Sequence, residues 1–137
     1  MLKYQTFIDE NSLYNTPPCF SIYMLCLTTR WMKKMTLPKL FKQNRDKAQM
    51  LYDVIDSTDY YRGTAKKEFR SDMNITFRLP TEELEELFIK QASAAGMKQL
   101  KGHRSVGGIR ASIYNAFPVA GVEALVSFMK DFEKRNG

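Results

Sequence analysis

No stretch of this sequence is apolar for long enough to cross a bilayer. Its longest apolar run, residues 20–27, falls far short of the roughly 20 residues that a spanning helix needs. The first ten residues include Asp9 and Glu10 and lack the apolar core of a secretory signal. Cysteine is scarce. Cys19 and Cys26 match no zinc-ligand spacing, and two turns of one helix hold their Cα atoms too far apart for a disulfide. They are expected to be small core residues of a reduced, cytoplasmic protein. His103 is the only histidine. No serine–carboxylate pair or metal-ligand set is spaced around it, so neither triad nor zinc chemistry is expected, and no metal. There is no internal repeat and no low-complexity segment.

What the chain does have is positive charge and ordinary core material. Its 137 residues carry a net charge of +6, with 44% hydrophobic and 12% aromatic residues. That suffices for one modest globular core and is not the composition of a disordered chain. The basic balance favours anionic partners: nucleic acid, acidic membrane or small phosphorylated ligands. Lys39, Lys42, Arg45 and Lys47 form a basic helix face with no aromatic residue interleaved for base stacking. That face is expected to stay in water, and nucleic acid is disfavoured.

Residues 1–14 show no regular hydrophobic period and run into Asn15-Thr16-Pro17-Pro18, so the chain is expected to be part of something longer. Thr16 is placed to cap a helix that has both prolines in its first turn and reaches residue 34. Ile22, Leu25 and Cys26 lie on one stripe of it, with Phe20, Met24, Leu27 and Trp31 elsewhere. A helix apolar on most sides is expected to be covered by another domain or subunit. A second helix over residues 36–55 carries Leu40, Phe41, Ala48, Leu51, Tyr52 and Ile55 as its apolar stripe.

Then the period changes. Met73, Ile75, Phe77 and Leu79 alternate with Asp72, Asn74, Thr76 and Arg78, the pattern of a half-buried strand. Thr81 caps the next helix, with Glu82 and Glu83 in its first turn. Leu84, Leu87, Phe88, Gln91, Ala92 and Ala95 line its inner face, and Gly96 ends it. Residues 97–101 and 109–114 predict two further strands, and residues 60–62 a short first one. Pro118 leads into a last helix with Val122, Leu125, Val126, Met129 and Phe132 inward. The order from Tyr60 is strand, strand, helix, strand, strand, helix. This is an α+β layer: a small antiparallel or mixed sheet with helices on one face.

Chemistry concentrates in Lys101-Gly102-His103-Arg104-Ser105-Val106-Gly107-Gly108-Ile109-Arg110. Three glycines in a short connection allow positive φ and let backbone N–H groups come close to a ligand. His103 and Arg104 can donate to phosphate oxygens, and Arg110 can fork onto a carboxylate. From the residues alone this is an anion-binding loop between strands. A glycine-rich hairpin with exposed cations has the same pattern.

Residues 102–116, Gly-His-Arg-Ser-Val-Gly-Gly-Ile-Arg-Ala-Ser-Ile-Tyr-Asn-Ala, resemble the C-terminal signature of the phosphoserine aminotransferase family. So do Leu13-Tyr14-Asn15-Thr16-Pro17-Pro18 and Arg70-Ser71-Asp72-Met73-Asn74-Ile75-Thr76-Phe77-Arg78. The resemblance covers essentially the whole chain, with its segments in the family's order. It implies a pyridoxal 5′-phosphate (PLP) enzyme of fold type I. Such an enzyme moves an amino group between glutamate and 3-phosphohydroxypyruvate, giving phosphoserine and 2-oxoglutarate in serine biosynthesis. By the same resemblance, His103 and Arg104 help hold the substrate phosphate, and Arg110 pairs with the α-carboxylate of both substrates. Asn15 and Thr16 reach the PLP phosphate of the neighbouring subunit in a homodimer.

On this resemblance residues 1–45 are the tail of a large cofactor-binding domain, and residues 46–137 are the small C-terminal domain. The family's Schiff-base lysine lies upstream of the Asn-Thr-Pro-Pro segment. The chain therefore supplies no catalytic residue, and alone it is expected neither to hold PLP stably nor to transaminate. Cys26 stands where the family has a glycine, and residues 33–37 lack the family's glycine; both departures bear on the helix pair and not on the substrate residues. The alternative, from a different class, is a stand-alone binding module for phosphorylated metabolites or RNA. Asn15, Thr16 and the apolar first helix do nothing obvious for such a module.

Overall fold

The computed structural model describes residues 3–137, which divide into two compact units, one ending at Leu37 and the other spanning Pro38–Gly137. In the first unit a helix, α1 (Tyr4–Asp9), forms where the sequence has no regular period. It is six residues long with none of them buried, too short for periodicity to register. α2 (Cys19–Met35) follows. Thr16 does not cap it: Pro18 is the N-cap residue, without a side-chain bond, and both prolines precede the helix. Pro17, itself before a proline, is driven into extended backbone, so the helix starts only at Cys19 and Thr16 lies two residues short of the cap position. Thr36, expected to open the next helix, is instead the C-cap of α2 with φ 66°. No residue of α2 is buried. Cys19 is exposed and Cys26 half-buried, so neither is the core residue expected of it.

The second unit is built on a three-stranded antiparallel sheet in the order β1-β2-β3: Arg62–Gly63, Asn74–Arg78 and Ile109–Ser112. Three helices flank it: α3 (Leu37–Ser57), α4 (Glu82–Ala94) and α5 (Val119–Asn136). Residue 45, the expected domain boundary, lies inside α3. The register sets Ile75 opposite Ala111 and Phe77 opposite Ile109, and all four side chains enter the core. Asn74, Thr76 and Arg78, with Arg110 and Ser112 across from them, stay half-buried on the other face. The α+β layer is as the sequence pattern predicts.

Aromatic rings bind the sheet to its helices. Phe77 meets Phe88 edge-on at 6.0 Å, and Phe88 meets Phe132 at 5.1 Å and Phe128 at 5.0 Å. Such pairs add about 0.5–1.5 kcal/mol beyond their buried area. Thr81 caps α4 through its hydroxyl, which accepts from the Leu84 N–H. At the other end Gly96 takes φ 89°, its N–H bonds to Ser93 O and the Met97 N–H to Ala92 O. That is the paired stop a glycine permits.

In the second unit two further expectations fail. Residues 97–101 form no strand, only a single bridge from Lys101 to Ile109, because Gln99 at φ 61° interrupts the extended backbone. On α3, Phe41 is exposed, whereas Lys47 and Asn44 are buried. Lys47 sits one heptad after Leu40 and four residues before Leu51, on the buried stripe by geometry. It is tolerated there because its Nζ donates to Ile113 O at 3.0 Å, Tyr114 O at 2.8 Å and Phe117 O at 3.0 Å. Burial lowers its pKa. The ammonium thereby fixes the chain after β3, and the approach to α5, against α3.

At the far end of α3, Arg70 forks onto Asp56, with Nη1 to Oδ2 at 2.8 Å and Nη2 to Oδ1 at 2.7 Å. Its guanidinium also lies 4.4 Å over the Tyr52 ring. Lys67 adds a contact to the same carboxylate at 3.1 Å.

Replacing Lys47 with Met should orphan three carbonyls, each costing about 1–3 kcal/mol if fully dry. Relief of the ammonium's desolvation and partial solvation at Tyr114 and Phe117 offset much of that, so urea titration should show a net loss of about 2 kcal/mol. Asp56 gives a pH signature. Its carboxyl is lowered from 3.8 to about 2, chiefly by the Arg70 hydrogen bonds and also by Lys67. Its contribution is therefore complete above the unfolded value near 4 and disappears as pH falls toward 2. Thermal melts across that window should show a steeper acid loss for the parent chain than for Asp56→Asn.

Candidate functional site

The loop between Lys101 and β3 closes on itself. The Gly102 N–H donates to Gly108 O at 2.8 Å, and the N–H groups of Val106 and Gly107 both donate to His103 O, at 2.9 and 2.8 Å. The glycines make this closure possible. A Cβ on Gly102 would lie 2.0 Å from Gly107 O, and Gly107 and Gly108 have φ of 74° and 72°. Side chains cannot occupy such positions without displacement or strain.

His103 and Arg104 stand exposed at the tip. The Ser105 N–H lies 3.3 Å from His103 Nδ1, and Ser105 Oγ 2.6 Å from it. With Nδ1 as the acceptor of that N–H, the neutral ring carries its proton on Nε2, free to donate outward. Neither Arg104 nor Lys101 has an acidic partner among the described residues. A cavity of about 660 Å³ is lined by this loop together with Arg78, Glu82, Glu85, Glu86 and Lys90. Positive groups outnumber negative ones there, but three carboxylates from the first turns of α4 temper the field.

Arg110 does not line that cavity. It lies on β3 opposite Thr76 and borders a second cavity of about 460 Å³, together with Leu100, Ile113, Phe117 and Leu125. Its Nε is buried without a hydrogen-bond partner, and its backbone N–H donates to Leu100 O at 2.7 Å. Next to it Asn74 donates to the Tyr114 hydroxyl at 3.3 Å, and Ser112 Oγ donates to Asn74 Oδ1 at 2.9 Å. The Asn74 hydrogen bond, and after it the nearby Ser112 hydroxyl, hold the Tyr114 phenol below its usual pKa, and the Arg110 charge adds to the effect. The structure thus brings His103 and Arg104 together on one loop tip and sets Arg110 on the strand that leaves it.

Asn15 and Thr16 belong to the first unit. Both are exposed in the irregular segment before α2, and their side chains make no hydrogen bond among the described residues. Free amide and hydroxyl donors of this kind suit phosphate oxygens.

Sequence reasoning singles out neither Arg78 nor Glu85. Arg78 Nε donates to Glu85 Oε1 at 2.6 Å, and its Nη1 to Val106 O at 2.9 Å. The available signal is Glu85 itself, an acid three residues before Phe88 and seven before Ala92. An acid on a buried stripe requires a partner.

Residues 1–125 match the family model described as aminotransferase class-V. The chain is 57% identical to the phosphoserine aminotransferase of Desulfatibacillum aliphaticivorans, over all of this chain and 38% of that protein. It is 55% identical to that of Syntrophobacter fumaroxidans, with the same coverage. Among solved structures, phosphoserine aminotransferase from Bacillus circulans subsp. alkalophilus superimposes with a TM-score of 0.93 at 51% identity, over 99% of this chain and 38% of that one. The PLP-bound enzyme from Trichomonas vaginalis gives 0.84 at 36% identity, over 93% and 37%. The chain therefore spans little more than a third of the length of the relatives it matches. On these matches, and on a fold shared across nearly its whole length, the chain belongs to the class-V aminotransferases and is similar throughout to part of the phosphoserine aminotransferases.

Proposed function

We propose that this chain is the substrate-gripping portion of a PLP-dependent aminotransferase that moves an amino group between glutamate and 3-phosphohydroxypyruvate in serine biosynthesis. The observation that carries this reading is the closed glycine loop, which presents the His103 Nε2–H and the unpaired Arg104 outward while Arg110 stands on the next strand. His103 and Arg104 hold the substrate phosphate, and Arg110 holds the α-carboxylate through two parallel charge-assisted bonds. Residues 1–45 belong to the end of the large cofactor-binding domain, and the working enzyme is a cytoplasmic homodimer.

PLP, when bound, supplies the electron sink for the transfer. The residues present fit one end of it: Asn15 and Thr16 would hold its phosphate from across the dimer. They do not supply a lysine for its aldehyde. Lys47 is buried with a lowered pKa, as such a lysine often is, but three backbone carbonyls occupy its Nζ. The chain's part in the reaction is to bind and orient both anionic ends of the substrate.

Two outcomes are expected. PLP added to the isolated chain and then desalted should leave no stoichiometric absorbance and no single labelled lysine; turnover by the chain alone would overturn the division of labour. In the complete enzyme, Arg110→Lys should weaken both half-reactions by about 2–5 kcal/mol in single-turnover kinetics, since both substrates carry the carboxylate. Changes at His103 and Arg104 should harm the phosphorylated substrate far more than glutamate. If Arg110→Lys spared glutamate, the two anion sites would be reversed.

A further inference from the structure

We infer that Arg78, braced by Glu85, is the positioning residue of the His103–Arg104 loop. Its role is to set where the loop stands, and it does not itself grip the ligand. Arg78 ends β2 with its side chain about one-quarter exposed. Its guanidinium works in two directions at once, with Nε donating to Glu85 Oε1 at 2.6 Å and Nη1 to Val106 O at 2.9 Å. Glu85 is itself buried, and the same Oε1 accepts the Leu79 N–H at 3.3 Å. Strand end, helix and loop therefore meet on one ion pair.

The glycines fit the same device. A Cβ on Gly108 would come 2.6 Å from Arg78 Cδ, and one on Gly107 would come 3.2 Å from Arg78 Nη1. The loop backbone rests directly on the guanidinium, so its position follows the arginine. Glu85 neutralises the charge, leaving position as the main contribution of Arg78. A lysine would keep the charge but could not brace against Glu85 and reach Val106 with fixed, divergent donors.

The ligand side of this inference rests on the phosphate-binding role proposed above, so the two are tested separately in the whole 137-residue chain. Amide exchange is followed at Gly102 and Gly107, whose N–H groups close the loop, and at Ile75 and Phe77 in the core. Binding of O-phosphoserine is followed through the ring signals of the single histidine. In Arg78→Lys, exchange at the two loop amides should rise about tenfold or more, the factor for a lost charge-assisted bond. Core exchange should hold, and phosphoserine affinity should fall by a similar factor although the net charge is unchanged. Glu85→Gln should shift both readouts the same way, and it decides the matter if the lysine variant does not fold.

Unchanged loop exchange in a folded variant overturns the inference. So does a loss of affinity with loop exchange unchanged, since that would make Arg78 a direct ligand. If loop exchange rises as expected but Arg104→Ala, followed by the same histidine signals, leaves phosphoserine binding intact, the positioning role stands and the phosphate reading falls.

Discussion

One register decides what the second unit can be: Thr76 opposite Arg110, with Phe77 opposite Ile109. Side chains alternate along a strand, so a slip of a single residue would exchange the two faces. Slipping β3 would turn Ile109 and Ala111 outward, and Arg110 would enter a core that offers it no acid. Losing the burial of one large apolar side chain costs about 1.5–3 kcal/mol, and an unpaired buried charge costs more. Strands of two, five and four residues cannot enforce this by backbone bonds alone. The edge-on rings of Phe77, Phe88 and Phe132 do it by tying β2 to α4 and α5.

The same register sorts the arginines by task. Arg70 is spent on Asp56 and the Tyr52 ring, and Arg78 on Glu85 and Val106. Both are largely covered, and both join an irregular segment to a helix. Arg104 and Arg110 have no acidic partner among the described residues. The 21 lysines and arginines are thus divided between paired groups that hold the fold and unpaired ones available to anions. Counting basic residues conceals that division.

Much of this is legible in the sequence where a residue type answers a single constraint. The alternation of residues 73–79, the Thr81 cap, the stop at Gly96 and the inward face of α5 all appear as their patterns predict. The failures arise where a residue answers two. Lys47 has the chemistry of a wet residue and the spacing of a buried one; spacing prevails because three carbonyls satisfy its ammonium. Residues 97–101 look extended, but their course is bent at Gln99, a conformation that composition does not announce. In the site, the glycines and cations identify the loop itself. Arg78 and Glu85 escape notice because alternation says only that Arg78 faces outward, and the partner that fixes it lies on another element.

Arg110, in the carboxylate-binding role proposed for it, shows what a ready site would cost a fold. Its Nε is buried without a partner, a deficit of about 1–3 kcal/mol where water is excluded. That alone does not mark a ligand site, since Arg70 Nε is equally unpartnered. The difference lies in the terminal nitrogens. Those of Arg70 fork onto Asp56, whereas those of Arg110 have no hydrogen-bond acceptor among the described residues. A carboxylate arriving there would supply the acceptors those nitrogens lack, through two parallel charge-assisted bonds. The stability that carries such an unsatisfied group must come from elsewhere in the unit. The Lys47 carbonyl cluster, the Arg70–Asp56 fork and the Arg78–Glu85 pair supply it, and none of them engages the Arg110 guanidinium.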